Sequence, residues 1–217
     1  MYPVRTSPGT RTLSIVAATA GILTITAVIF SQSTGPASSS IPVPNEGAGL
    51  IVEGLAVQLD STRFYDPAYV ALGYPGGDVP LHTGVCADVV VRSFRHAGID
   101  MQVEIHRDMK DAFRNYPQLW GLSKPDRNID HRRVANQMRF FERKEKALEI
   151  TADSTQYLPG DVVAWMLPGN LYHIGIVSAS RSVRSGRPLI VHNIGRGAQT
   201  HDCLFTWKVI GHYRWFQ

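Results

Sequence analysis

The first apolar feature of the chain is an unbroken run: Leu13 to Phe30 holds 18 residues without a charge. A bilayer core needs about 20 apolar residues, so this run with its flanks is long enough to span one. It gives way to Ser31–Pro44, an uncharged Ser/Pro/Gly stretch that reads as a linker extending to residue 48. Helical spacing starts at Gly49–Thr62, where Leu50, Ile51, Leu55 and Leu59 form one apolar side. Tyr65 to Leu81 is rich in Pro, Gly and Tyr and predicts an irregular approach. A second amphipathic helix opens at Cys86, with Val85, Val89, Phe94 and Ala97 at helical spacing and Gly98 as its stop. Within Ile99–Tyr157, Asn128-Ile129-Asp130 predicts a turn with Asp130 as N-cap. Val134, Met138 and Phe141 then predict a helix from His131 to about Lys146.

The period changes to that of strands at Leu158. Pro159-Gly160-Asp161 is a turn before Val162–Met166, and Pro168-Gly169-Asn170 leads to a strand over Tyr172–Ser178. A basic, Gly-containing hairpin over Arg181–Arg187 leads to Pro188–His192. A last strand is expected over Phe205–Phe216, with a bulge at Gly211. Helices first and an antiparallel meander afterwards predict the α+β class.

Charge changes the picture at the N-terminus. Arg5 and Arg11 precede the apolar run and no basic residue follows within fifteen, which places the N-terminus in the cytoplasm and exports the rest. The run reads as a signal peptide or a signal anchor over residues 1–30, since no sharp small-x-small cleavage site follows it. The whole chain of 217 residues has a net charge of +4. Without Arg5 and Arg11, 20 basic residues face 18 acidic ones, so the exported part is close to neutral and carries no nucleic-acid footprint. Residues 49–217 suffice for one hydrolase-sized domain, expected to be monomeric. Export also opens the possibility of a Cys86–Cys203 disulfide, which would close a long loop and silence Cys86.

Cys86 is the candidate nucleophile. In a first helical turn, unpaired N–H groups and the helix dipole favour a thiolate. The downstream strands offer His173 and His192, which antiparallel pairing would bring to one end of the sheet. Cys86 would attack a carbonyl carbon, His173 would act as base and then acid, and His192 would orient the His173 ring. Asn193 is the alternative third member. Asp88 is one helical turn away and could meet a substrate amine, or simply favour the helix dipole. Arg132 and Arg133 could bind carboxylates or form a solvated helix face. A zinc site from Cys86, His173 and His192, with His82, is the chemical rival. His82, His96, His106, His201 and His212 otherwise read as surface or packing residues, and Cys203 as a structural thiol.

These segments, in this order, carry a resemblance. A Cys-bearing helix is followed by Gly160-Asp161-Val162-Val163-Ala164-Trp165, then by His173-Ile174-Gly175-Ile176-Val177, then by a polar residue on the next strand. The series resembles the NlpC and CHAP branch of papain-like cysteine peptidases. The fuller strings, Tyr74–Pro80, Gly84–Arg92, Asn128–Val134 and His192–Gly195, are similar to a bacterial domain-of-unknown-function family in that branch. The resemblance covers about Leu50 to Gln217. It implies a nucleophile helix packed on an antiparallel half-barrel, and cofactor-free hydrolysis of amide bonds, most often in peptidoglycan stem peptides. Tyr74 resembles the upstream tyrosine that assists the oxyanion. Two features depart from the pattern: Val85-Cys86-Ala87-Asp88 replaces Asp-Cys-Ser-Gly, and Ile99–Tyr157 is a long insert. The alternatives are a catalytically inactive cell-wall-binding module and a zinc-dependent hydrolase.

The N-terminal reading has a direct test. A reporter that fluoresces only in the cytoplasm, fused after Gln217, is expected to stay dark; a bright, soluble fusion overturns export.

Overall fold

The computed structural model describes residues 39–217; the apolar run Leu13–Phe30 and its flanking arginines lie outside the described residues. Among the described residues, no helix is long and apolar enough to cross a membrane. The first helix, α1 (Glu46–Ser61), starts three residues earlier than its apolar spacing predicts. Asn45 extends it: its side-chain oxygen accepts the Ala48 N–H at 2.9 Å, satisfying a donor that the helix cannot pair. The linker is also shorter than its composition predicts. Ile41 N–H donates to Ala179 O at 2.8 Å and Arg181 N–H donates to Ser39 O at 3.1 Å, and the Ile41 side chain is buried. Ser/Pro composition allows a free linker, but backbone donors beside an open strand end pair with it.

Five strands form one antiparallel sheet: β3 (Val162–Leu167), β4 (Leu171–Arg181), β5 (Pro188–Asn193), β6 (Ala198–His201) and β7 (Lys208–Tyr213), in the order β6-β5-β4-β3-β7. The first two strands, β1 (Phe64–Tyr65) and β2 (Thr83–Gly84), form a separate short parallel pair just before the helix that opens at Cys86. Residues alternate between the faces of the main sheet. Val162, Ala164, Ile174, Ile176 and Val191 face the helices, while Val163, Trp165, Val177 and Ile190 pack with Tyr157, Cys203 and Leu204 on the other face. The long last strand expected over Phe205–Phe216 is instead a turn followed by β7. Trp165 Nε1 donates to Leu204 O at 2.9 Å, which draws that turn onto the second face. Ala164 pairs with Gly211 and Trp165 with Val209, so the bulge falls at Ile210, beside the expected Gly211.

The second helix, α2 (Cys86–His96), begins at the predicted residue. Its Val89, Val90 and Phe94 are fully buried in the helix-side core. The insert is helical. Its helix α3 (Met101–Ala112) buries Met101, Ile105 and Met109 at four-residue spacing, with Asp100 accepting the Gln102 N–H at 3.0 Å as its cap. The helix expected from His131 to Lys146 divides. Asp130–Arg132 is a single 3₁₀ turn, Arg133 is extended, and α4 runs over Val134–Arg143. Asp130 therefore caps no long helix. The division frees Arg132 to turn inward, where Nε and Nη2 donate to both carboxylate oxygens of Asp88 at 2.7 and 2.9 Å.

That pair is sealed, with side-chain exposures of 2% for Arg132 and 4% for Asp88. Arg133 instead stacks over Trp120, 4.0 Å from the ring centroid, and bonds Asp130 at 3.0 Å. Unequal mutants follow. Arg132→Ala leaves a buried carboxylate uncompensated and is expected to lose about 3–5 kcal/mol in urea unfolding. Arg133→Ala loses one charge-assisted bond and a ring contact, about 1–2 kcal/mol. Equal losses would contradict this division of roles.

Candidate active site

Three sets of polar contacts hold the backbone that delivers Cys86. Val85 is extended, at φ −116° and ψ −179°, and its N–H donates to Asp88 Oδ2 at 2.7 Å, closing the first turn of α2. Asn193 Nδ2 donates to Gly84 O at 2.9 Å from the end of β5. One turn along α2, the Arg92 guanidinium donates to Asp78 at 2.9 and 3.0 Å, and to the carbonyls of Val79 and Thr83 at 3.1 and 3.0 Å. The Pro/Gly-rich approach is thus tied to the helix that it introduces. Gly84 sits at φ 156°, and a Cβ there would press on the Asp88 side chain at 3.2 Å.

The backbone N–H groups of Ile174, Ala87 and Cys86 itself favour the thiolate. Burial outweighs them and pushes the thiol up to about 11, with the Asp88 charge adding to the rise. The resting sulfur is therefore protonated, which corrects the thiolate that the helix position alone predicts.

Strand register places the histidines. Ile176 pairs with Val191 across β4 and β5, so His173 and His192 are diagonal neighbours on one face. His173 Nε2 lies 2.6 Å from His192 Nδ1. This leaves Nδ1 of His173 as its remaining ring nitrogen. Burial lowers His173 to about 4; burial, then His173 and His201, lower His192 to about 3. Both rings are neutral at pH 7. Among the described residues, no hydrogen bond joins Cys86 to His173 in this resting arrangement. The expected His173 and His192 are brought together on one sheet face, while Cys86 lies in the core on the other. Asn193 instead holds the Gly84 carbonyl.

The other expected residues stand elsewhere or do other work. Asp88 is fully engaged by Arg132 and Val85, so it presents no free carboxylate to an amine. Arg132 is spent on Asp88 and Ala68 O, and Arg133 on Asp130 and Trp120, so neither guanidinium is free for a substrate carboxylate. Tyr74 packs edge-on against His106 at 5.3 Å, with Arg127 over its ring at 5.6 Å. The tyrosine that the Cys86 thiolate does influence is Tyr65, on β1, whose hydroxyl is raised by burial and then by the charges of Cys86 and Asp88. Tyr65 lay unnoticed in the Pro/Gly/Tyr segment, because a two-residue strand leaves no periodic signal. His82 packs against Phe64 rather than joining Cys86 in a zinc site. Cys86 and Cys203 are free thiols in different cores, one on each sheet face.

Beyond His192, the polar chain continues. His192 Nε2 lies 3.2 Å from His201 Nδ1 and 3.8 Å from Cys203 Sγ. These are the groups among the described residues that could hold a metal ion. His201 and Cys203 carry no local sequence signal, since β6 is polar and the 203–207 turn resembles a strand. Burial pushes the Cys203 thiol up to about 12.

Comparison with known proteins covers nearly the whole of this arrangement. A family model described as "Domain of unknown function (DUF1287)" matches residues 52–215. A protein of Escherichia coli (strain K12), described as "Uncharacterized protein YijF", is 51% identical over 166 residues, covering 76% of this chain and 80% of that protein. No solved structure matches. Since the matched residues run from within α1 past β7 and include Cys86, His173 and His192, the chain belongs to the DUF1287 family.

Proposed function

We propose that this protein is an exported cysteine hydrolase of the papain-like, NlpC/CHAP type, cleaving amide bonds in peptidoglycan stem peptides. One observation carries the reading. The Ile174 amide favours the Cys86 thiolate, and the adjacent His173 has its Nε2 held by His192 at 2.6 Å, with Nδ1 as its remaining ring nitrogen. A nucleophile, a base and an orienter of that base are the parts that acyl transfer through a thiol requires.

The chemistry follows from the resting protonation states. The Cys86 S–H proton passes to His173 Nδ1 as the sulfur bonds to the substrate carbonyl carbon. His192 accepts from His173 Nε2–H and stabilises the imidazolium. The oxyanion develops near the first turn of α2 and the Tyr65 hydroxyl, which its raised pKa keeps as a donor. Collapse breaks the C–N bond, and His173 returns the proton to the leaving amine. Water, deprotonated by His173, then releases the acid and the free thiol. A second reading, an inactive wall-binding module, draws on one observation: the sulfur is buried and protonated.

Mass spectrometry of peptidoglycan fragments incubated with the full-length, detergent-solubilised chain separates the two. New amine and carboxylate termini are expected with the parent and absent with Cys86→Ala; intact fragments with the parent would leave only binding. His173→Ala is expected to lower kcat by about 10²–10⁴-fold, the scale of general acid–base catalysis. His192→Ala should lower it less, with the double variant far from additive. A larger loss at His192 would reverse their roles.

The pH profile provides a further check. The competent Cys86–His173 pair holds one proton. Burial lowers the histidine to about 4 and raises the thiol to about 11, so protonation removes the base only near the lower value. The plateau of kcat/KM should therefore run through neutral pH, with no acid limb at about 6.5, the ordinary histidine value. The same depressed histidines contribute stability above about 6.5 that is lost as pH falls toward 4, so near-UV circular dichroism must show folded protein at each acidic point. An acid limb at about 6.5 in folded protein would contradict the buried, neutral base.

A further inference from the structure

We propose that His192 Nε2, His201 Nδ1 and Cys203 Sγ form a site for a zinc-like divalent ion, and that the ion, when bound, withdraws His173 from Cys86. The second half rests on the reading of Cys86 and His173 as nucleophile and base; the first does not.

The donors are already spaced for an ion. Zinc binds nitrogen at about 2.0–2.1 Å and sulfur at about 2.3 Å in a tetrahedron, which sets N···N near 3.3 Å and N···S near 3.6 Å. The corresponding separations here are 3.2 Å between the two ring nitrogens and 3.8 Å from Cys203 Sγ to His192 Nε2, with all three donor atoms within 4.8 Å of one another. Two imidazoles and a thiolate suit a borderline-soft ion better than calcium or magnesium, which take oxygen. The surroundings fit as well. His192 and Cys203 are buried, while His201 is exposed, so the site has a buried wall and an open side. The second nitrogen of His192 is hydrogen-bonded to His173, the kind of outer partner that fixes the tautomer of a metal-bound histidine.

That outer partner is the base. Without an ion, His192 carries its proton on Nε2, facing His201. Its Nδ1 then accepts from His173 Nε2–H, and His173 Nδ1 has a lone pair for the Cys86 proton. An ion takes the His192 Nε2 lone pair, and the His192 proton moves to Nδ1. His192 now donates to His173 Nε2, and the His173 proton sits on Nδ1. No lone pair is left for Cys86. The two neutral rings keep one proton each throughout. Cys203 releases its S–H proton to water as the S–metal bond forms, the ion's charge offsetting the burial of the thiolate.

The test uses the full-length chain, reduced and stripped of metal, titrated with Co²⁺ as a spectroscopic stand-in and with Zn²⁺ as competitor. Thiolate-to-cobalt absorption that Zn²⁺ displaces is expected. It should persist in Cys86→Ala, vanish in Cys203→Ser and weaken in His201→Ala by more than the roughly 10–100-fold typical of losing an outer partner. His201 is exposed, so His201→Ala keeps the test open even if Cys203→Ser fails to fold. No such absorption, or absorption lost with Cys86 rather than Cys203, overturns the site. For the gate, Zn²⁺ should slow iodoacetamide labelling of Cys86, read by peptide mapping, by about 100-fold in the parent and not in His201→Ala. Unchanged labelling of metal-loaded parent overturns the gate. If peptidoglycan is not cleaved but cobalt binds through Cys203, the hydrolase reading falls and the metal site stands.

Discussion

A carboxylate inside the protein, Asp88, governs where Cys86 lies. Its two oxygens receive the Arg132 guanidinium and the Val85 N–H, so it closes the first turn of α2 and ties that turn to the insert. A buried charge is tolerable only when its hydrogen bonds are complete. Each partner is therefore constrained by the other two. The insert adds a second tie one residue before Asp88, where Gln137 Nε2 donates to Ala87 O at 3.1 Å. Residues 99–157 thus help fix the start of the helix that carries Cys86.

The sheet supplies the other half of the site through its period of two. Ile174 and Ile176 face α2, and the same alternation sends His173 to the opposite face with His192. Cys86 and His173 therefore lie on different faces of the sheet, with the Ile174 amide between them favouring the Cys86 thiolate. Trp165 and Trp207 lie 5.8 Å from the His173 ring on the second face. His173 sits in an apolar setting, and that setting keeps it neutral.

Burial acts in the same direction on every titrating group of the site. It raises both thiols and lowers both buried histidines, so the resting constellation carries no net charge apart from the closed Asp88–Arg132 pair. Three backbone amides at Cys86 oppose this without prevailing. A helix N-terminus exposed to water would stabilise a thiolate; the same turn under a hydrophobic core does not, because the desolvation of a full charge exceeds what a partial dipole returns.

Local sequence was enough to place α2 at Cys86, the strands carrying His173 and His192, the turn before Val162 and the α+β class, since each rests on spacing within one element. It also identified the two histidines that meet. It was not enough to distinguish His192 from Asn193, because successive strand residues point to opposite faces and the choice depends on which face holds the partner. Nor did it separate Tyr65 from Tyr74, or Arg132 from Arg133. A two-residue parallel pairing with Gly84 sets Tyr65 beside the start of α2, and Arg132 turns inward because Arg133 breaks the helix behind it. His201 and Cys203 join His192 only when β6 and the following turn fold back onto the far face of the sheet. Periodicity records which side of an element is buried; which residues of different elements touch is decided by register and by the satisfaction of buried polar groups, and those exist only in the packed protein.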